Sequence, residues 1–214
     1  MKYYYFIKNY MIRSRIKQYG ILGLIRLIFE LFRTKLLFLN ARIIRFPIDI
    51  RGKNFINVGK GLTTGRYCRI EAYPQNGKNV VITFGKNVQI NDFVHITAME
   101  NVFIGNNVLL ASKIYISDCS HGSYVGDEND SSPDTIAFKR KYMTCAVRIE
   151  DNVWIGESVS ILPGVTVGKN AIIGANSVVT KNIPANCIAV GNPARVIKKY
   201  NFELKIWEKR TDLI

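Results

Sequence analysis

An aliphatic residue returns at every sixth position through the second half of this 214-residue chain. Ile149, Ile155, Ile161, Val167, Ile173 and Val179 keep that spacing without a break. Glycine follows three of them, at Gly156, Gly168 and Gly174. The position four after each is again apolar or small: Val153, Val159, Val165, Ala171, Ser177 and Ile183. Earlier segments repeat the spacing in three sets: Ile50, Ile56, Leu62 and Cys68; Phe84, Ile90 and Ile96; Ile104, Leu110 and Ile116. The phase slips at Asn101–Val102 and around Pro74–Lys78, both turn-like. A helix cannot carry this pattern, because six does not match 3.6 and glycine and β-branched residues are poor helix formers. An antiparallel sheet would alternate with period two over longer runs. A six-residue period suits a solenoid in which each hexad is a short strand plus a corner. One aliphatic side chain per hexad points to the axis, and successive coils pair as parallel strands.

The pattern resembles the hexapeptide-repeat transferases. The resemblance implies a mainly β fold, the left-handed parallel β-helix, with three hexads per coil; residues 50–196 hold roughly 18 hexads, or about six coils. The chain then divides into a basic amphipathic helical segment (1–46), the β-helix acyltransferase domain (47–196) and a short C-terminal helical tail (197–214). Residues 122–146 interrupt the repeat with Gly122, Gly126, Asp127, Asn129, Ser131, Ser132 and Pro133, a loop by composition. A long loop on a rigid solenoid is a place for function.

The formal charge of +14 belongs mostly to the first segment. Residues 1–53 hold 12 Lys/Arg against two acids, Glu30 and Asp49. The apolar content of 48% excludes intrinsic disorder as the main state. Residues 1–45 read as helix: Ile21, Leu24, Ile25, Ile28 and Phe32 recur at helical spacing, with Arg26, Glu30 and Arg33 on another side. Further upstream Tyr3, Tyr4, Tyr5, Phe6 and Tyr10 alternate with Lys2, Lys8 and Arg13. Two readings stand for this segment, a cap packed on the domain or peripheral contact with the inner membrane surface. No motif supports a nucleic-acid partner. Charges interrupt the apolar stretch, so a transmembrane helix is not expected. Cys68, Cys119, Cys145 and Cys187 include no C-x-x-C pair, and the two histidines are remote from any zinc-like spacing, so no metal is expected. Reduced thiols point to the cytoplasm.

The stretch from Ile116 to Asp127, ISDCSHGSYVGD, and the run DNVWIGESVSILPGVTVGKNAIIGANSVVTKNIPANCIAVGNPARVIKKY resemble the O-acetyltransferases that modify bacterial O-antigen, capsule or exopolysaccharide sugars. They are similar, less closely, to galactoside and maltose acetyltransferases. The resemblance implies acetyl transfer from acetyl-CoA to a sugar or polysaccharide hydroxyl, with His121 as catalytic base, in a homotrimer that binds the donor between subunits. A small acceptor (serine, a free sugar or an amine) is the alternative. Chemistry supports His121 independently: an alcohol attacking a thioester must lose its proton, and an imidazole titrating near about 6.5 suits that at neutral pH. Relatives commonly carry another histidine where Cys119 stands. Cys119 is the one candidate for an acyl-enzyme nucleophile, but direct transfer in a ternary complex is expected.

Further site residues follow from the same resemblance. Asn91 matches an acceptor-facing asparagine, though a corner asparagine is the plainer reading. Asp118 either orients His121, touches the acceptor, or bonds its own turn. Trp154 would pack on the pantetheine arm or thioester end of the donor, or else belong to a subunit contact. Gly174, Ala175, Thr180, Lys181, Arg195 and Lys198 match positions that contact CoA, the cations suiting its phosphates. His95 sits in a regular hexad and is expected to be structural.

Overall fold

The computed structural model describes residues 2–75, 77 and 80–209, with side chains from Lys17 onward. Its central body is a solenoid of short parallel strands on three faces. The first face stacks six strands: Ile48–Arg51, Cys68–Ala72, His95–Ala98, Tyr115–Ser117, Ser160–Ile161 and Val178–Val179. The second stacks Ile56–Val58, Ile82–Phe84, Val102–Ile104, Val147–Ile149 and Thr166–Val167. The third runs from Thr63–Thr64 through Gln89–Ile90, Leu109–Leu110, Trp154–Ile155 and Ile172–Ile173 to Cys187–Gly191.

Strand register shows which residues build the axis. Ile50, Ile70, Ile96, Ile116, Ile161 and Val179 stack on the first face. Val58, Phe84, Ile104, Ile149 and Val167 stack on the second. Thr64, Ile90, Leu110, Ile155, Ile173 and Ala189 stack on the third. These columns are one buried core, in which truncating an isoleucine to alanine costs about 2–5 kcal/mol. The frame differs from the sequence reading in the first coil. The turn Lys53–Phe55 inserts two residues, so Val58, Thr64 and Ile70 hold the axis positions rather than Ile56, Leu62 and Cys68. Leu62 and Cys68 are still buried, because the position two before each axis residue also points inward, as at Val88 and Val94.

One row of corners is set by asparagine. Asn87, Asn107, Asn152, Asn170 and Asn186 all have φ near +55 to +60°, a region asparagine enters more readily than other side chains. Their amides bond in series along the solenoid, each Nδ2 donating to the next Oδ1 at 2.7 to 3.3 Å.

Among the described residues the expected C-terminal helix is replaced by strands. Ala194–Asn201 and Ile206–Lys209 form an antiparallel pair that extends the third face beyond Cys187–Gly191. The edge of that face offers unpaired N–H and C=O groups that Ala194–Asn201, with β-prone Val196, Ile197 and Tyr200, pairs with, and Ile206–Lys209 then pairs with Ala194–Asn201. Residues 210–214 of the proposed tail lie outside the described residues.

The N-terminal helix runs Lys2–Leu37, shorter than the 45 residues read from sequence, with a non-helical Gly20 (φ 67°, ψ 174°) inside it. The side chains of Lys2 to Arg13 singled out above lie outside the described residues. The helix meets the solenoid through polar groups. Glu30 and Thr34 are buried. Glu30 Oε1 accepts from Arg66 Nη2 at 2.8 Å and from Arg26 Nε at 3.3 Å. Thr34 Oγ1 donates to Glu30 O and accepts from the Ile44 N–H at 2.9 Å. Arg33 lies over the Phe46 ring, 3.7 Å from its centre. No described helix is long and apolar enough to cross a membrane.

Candidate active site

Strand alternation builds a cavity on the outside of the first face. Ile70, Ile96 and Ile116 point to the axis, so their immediate neighbours point outward. Arg69, His95 and Tyr115 therefore form one cross-strand row, and Glu71 lies opposite Thr97 beside it. These residues, with Tyr73, Met99, Cys119, His121 and Tyr142, line a cavity of about 580 Å³.

Glu71 is the hub of this wall. Its buried carboxylate accepts from Arg69 Nε at 2.7 Å, Arg51 Nη1 at 2.9 Å and the Tyr73 hydroxyl at 2.9 Å. His95 Nε2 lies 2.9 Å from Oε2, the oxygen that Arg69 Nε also meets, while Arg51 and Tyr73 bond Oε1. Burial pushes the Glu71 carboxyl upward, but the Arg69, His95 and Tyr73 hydrogen bonds outweigh it and hold the pKa at about 2. Glu71 is thus a fixed negative charge that orients Arg69 and His95. His95, read from sequence as structural, faces the same cavity as His121.

His121 reaches the cavity on an arm. Cys119–His121 pairs antiparallel with Tyr142–Thr144, so the expected loop leaves the solenoid as a two-stranded hairpin. The His121 ring packs against Tyr142 with centres 4.5 Å apart. Beyond it, Arg140 ties the loop together by donating to Pro133 O, Thr135 O and the Tyr124 hydroxyl. Tyr124 in turn donates to His121 O. The imidazole is exposed and has room to receive a substrate hydroxyl.

Asp118 does not contact His121 or the cavity. It is fully buried, and its two oxygens accept from the backbone N–H groups of Met99, Glu100 and Asn101 at 2.7 to 3.1 Å. Burial pushes its pKa above the ordinary value, against the pull of those N–H groups. Asp118 therefore fixes the corner where the arm begins. Asn91 is exposed at the corner between the third and first faces, outside the cavity wall. Its carbonyl accepts a weak bond from the Cys68 thiol. Cys119 lines the cavity, but burial raises its thiol pKa. A protonated thiol is a poor nucleophile, which disfavours an acyl-enzyme.

The residues matched to the donor fall in two places. Leu109, Trp154, Ile172, Ile188 and Lys198 form a single outward row across the third face. A register shift between Ile188 and Ala189 brings Arg195, opposite Val190, to the same side as Lys198. The row runs from an aromatic 49% exposed, through aliphatics, to two cations over about 14 Å, three strand spacings. Ala175 is exposed at the adjoining corner, and its N–H would lie 2.6 Å from a Cβ on Gly156. Gly174 answers to packing within the chain, since a Cβ there would meet Val190 Cγ1 at 2.6 Å. Thr180 and Lys181 stand elsewhere, exposed at the corner between the first and second faces, the corner from which the His121 arm leaves.

A family model described as bacterial transferase hexapeptide (six repeats) matches residues 146–181. Over 199 residues, 93% of this chain and all of the relative, the sequence is 44% identical to WbbJ of Escherichia coli K12, whose name assigns it to lipopolysaccharide-biosynthesis O-acetyl transfer. The chain belongs to the hexapeptide-repeat acetyltransferases. This acetyltransferase is also 38% identical over 141 residues to the galactoside O-acetyltransferase of E. coli K12, covering 65% of the chain and 64% of that protein. Its fold matches that of AntD, an N-acyltransferase from Bacillus cereus, in a mutant solved with dTDP-4-amino-4,6-dideoxyglucose and coenzyme A. The TM-score is 0.64 at 20% identity, over 81% of this chain and 90% of AntD. The solenoid described above is thus the left-handed parallel β-helix.

Proposed function

We propose that this acetyltransferase moves an acetyl group from acetyl-CoA to a sugar hydroxyl of a bacterial surface polysaccharide or its precursor, with His121 as general base. The observation that carries this reading is the composition of the cavity around His121. Tyr73, Tyr115 and Tyr142 offer ring faces to a sugar, while Arg69, Glu71 and His95 offer fixed hydrogen-bonding groups to its hydroxyls. His121 takes the proton from the attacking hydroxyl as its oxygen bonds to the thioester carbonyl carbon. The imidazolium returns that proton to the departing thiolate when the tetrahedral intermediate collapses, so no covalent enzyme intermediate is needed.

The outward row from Trp154 to Lys198 fits the donor, with apolar surface for a pantetheine arm and cations for phosphates. In one chain this row and the Thr180–Lys181 corner lie on different faces. A homotrimer in which one subunit's third face meets the next subunit's His121 corner would join them, and is the assembly this reading requires. The setting is the cytoplasm, consistent with reduced Cys68, Cys119 and Cys145.

The test is incubation with labelled acetyl-CoA and a panel of free, nucleotide-linked, lipid-linked and polymeric sugars, with serine and amino sugars alongside. Label on a sugar hydroxyl supports the reading. Label on serine or an amine, with none on sugar hydroxyls, replaces it with a small-acceptor acyltransferase.

A further inference from the structure

The N-terminal helix is amphipathic in the inverted sense for a cap. Ile21, Leu22, Ile25, Ile28, Phe29, Phe32 and Leu36 are each between 59% and 82% exposed. At 100° per residue they fall within a single arc of roughly 120°. The opposite side holds Glu30 and Thr34, which are buried against the solenoid. The polar side therefore docks on the domain, and the apolar side is presented outward.

The charges around this face have one sign. Arg26 and Arg33 border one edge of the arc and Lys35 the other. Glu30 is the one acid between residues 1 and 48, and two arginines, Arg26 and Arg66, neutralise it. A second copy brought onto this face would set cations against cations. A negatively charged bilayer surface complements them: Arg26 is held at the border of the arc by Glu30 and Phe46 O, Arg33 by the Phe46 ring and Lys35 by Leu39 O and Ala41 O, and all three remain exposed.

We infer that this face lies in the plane of an anionic phospholipid bilayer, with Phe29 and Phe32 among the residues that enter the headgroup–acyl boundary. The attachment is peripheral. It does not depend on the acceptor proposed above.

The experiment is co-sedimentation of the full chain with vesicles of phosphatidylcholine alone, or of phosphatidylcholine mixed with phosphatidylglycerol. Phe29→Glu/Phe32→Glu changes only exposed side chains, and Phe202→Glu/Leu204→Glu makes the same charge change at an exposed turn off the helix. The wild type should pellet with anionic vesicles, and at least about tenfold less with neutral vesicles or at high salt. The helix variant should lose at least about tenfold of the anionic binding, and the turn variant should keep it. The proposal fails if the wild type does not bind anionic vesicles, or if the helix and turn variants bind alike. It also fails if the helix variant changes the sedimentation coefficient of the lipid-free protein, since the face would then be a contact between copies. Acetyl transfer in solution should be equal in all three proteins.

Discussion

His95 Nε2 lies 2.9 Å from Glu71 Oε2, and this contact turns the chain's other histidine toward the cavity that holds His121. The two residues sit on neighbouring coils of the first face. Strand register alone brings them together. Glu71 also holds Arg51, Arg69 and Tyr73, so one buried carboxylate orders most of the wall opposite His121.

Glu71→Gln should therefore destabilise the fold by roughly 3 kcal/mol at neutral pH, because it leaves Arg69 and its neighbours without their counter-charge. The pH dependence has a definite sign. The folded carboxyl titrates at about 2, below its ordinary 4.5, so its stabilisation is complete above pH 4.5 and is lost as pH falls toward 2. Urea unfolding across that window should show a shallower slope in the variant than in the wild type. Equal slopes would mean that Glu71 is not held in this way.

Asp118→Asn should lower stability, by about 2–3 kcal/mol, because an amide cannot accept all the N–H bonds that the carboxylate receives from Met99, Glu100 and Asn101. The variant that remains folded should show an unchanged pH profile of kcat/KM. A displaced acid limb would return Asp118 to the role of orienting His121.

Trp154→Ala should lower stability by about 2–3 kcal/mol without unfolding the domain, since about half of the side chain is buried. Under the proposed donor site it should raise KM for acetyl-CoA about tenfold with a smaller effect on kcat, the signature of lost ground-state binding. An unchanged KM would move the donor away from the third face.

The solenoid was legible because each hexad has one residue with no choice but the axis, and Ile149 through Val179 repeat it without interruption. Its frame slipped in the first coil, where the short turn Lys53–Phe55 adds length that no hydrophobic residue marks. The C-terminal strands were missed because their cause is not local: they satisfy the open edge left by Cys187–Gly191. The N-terminal helix was legible as a helix, but its apolar spacing could not say which way the face points. His121, which lines the cavity, was named from the family resemblance together with its place just before the loop. The Glu71–His95 pair was not, although the signal was present, since residues flanking an axis isoleucine must face outward. Asp118 looked like a site residue because it lies three before His121, yet the chain turns between them and sends its carboxylate inward.

The proposed reaction turns on removal of the acceptor's proton by His121. Steady-state acetyl transfer by His121→Ala, measured beside its sedimentation coefficient, is the test of that step. The His121 ring packs against Tyr142 on an exposed arm, so the variant should fold and assemble like the wild type. Its kcat should fall by at least about 100-fold. A correctly assembled variant with wild-type kcat would contradict the account.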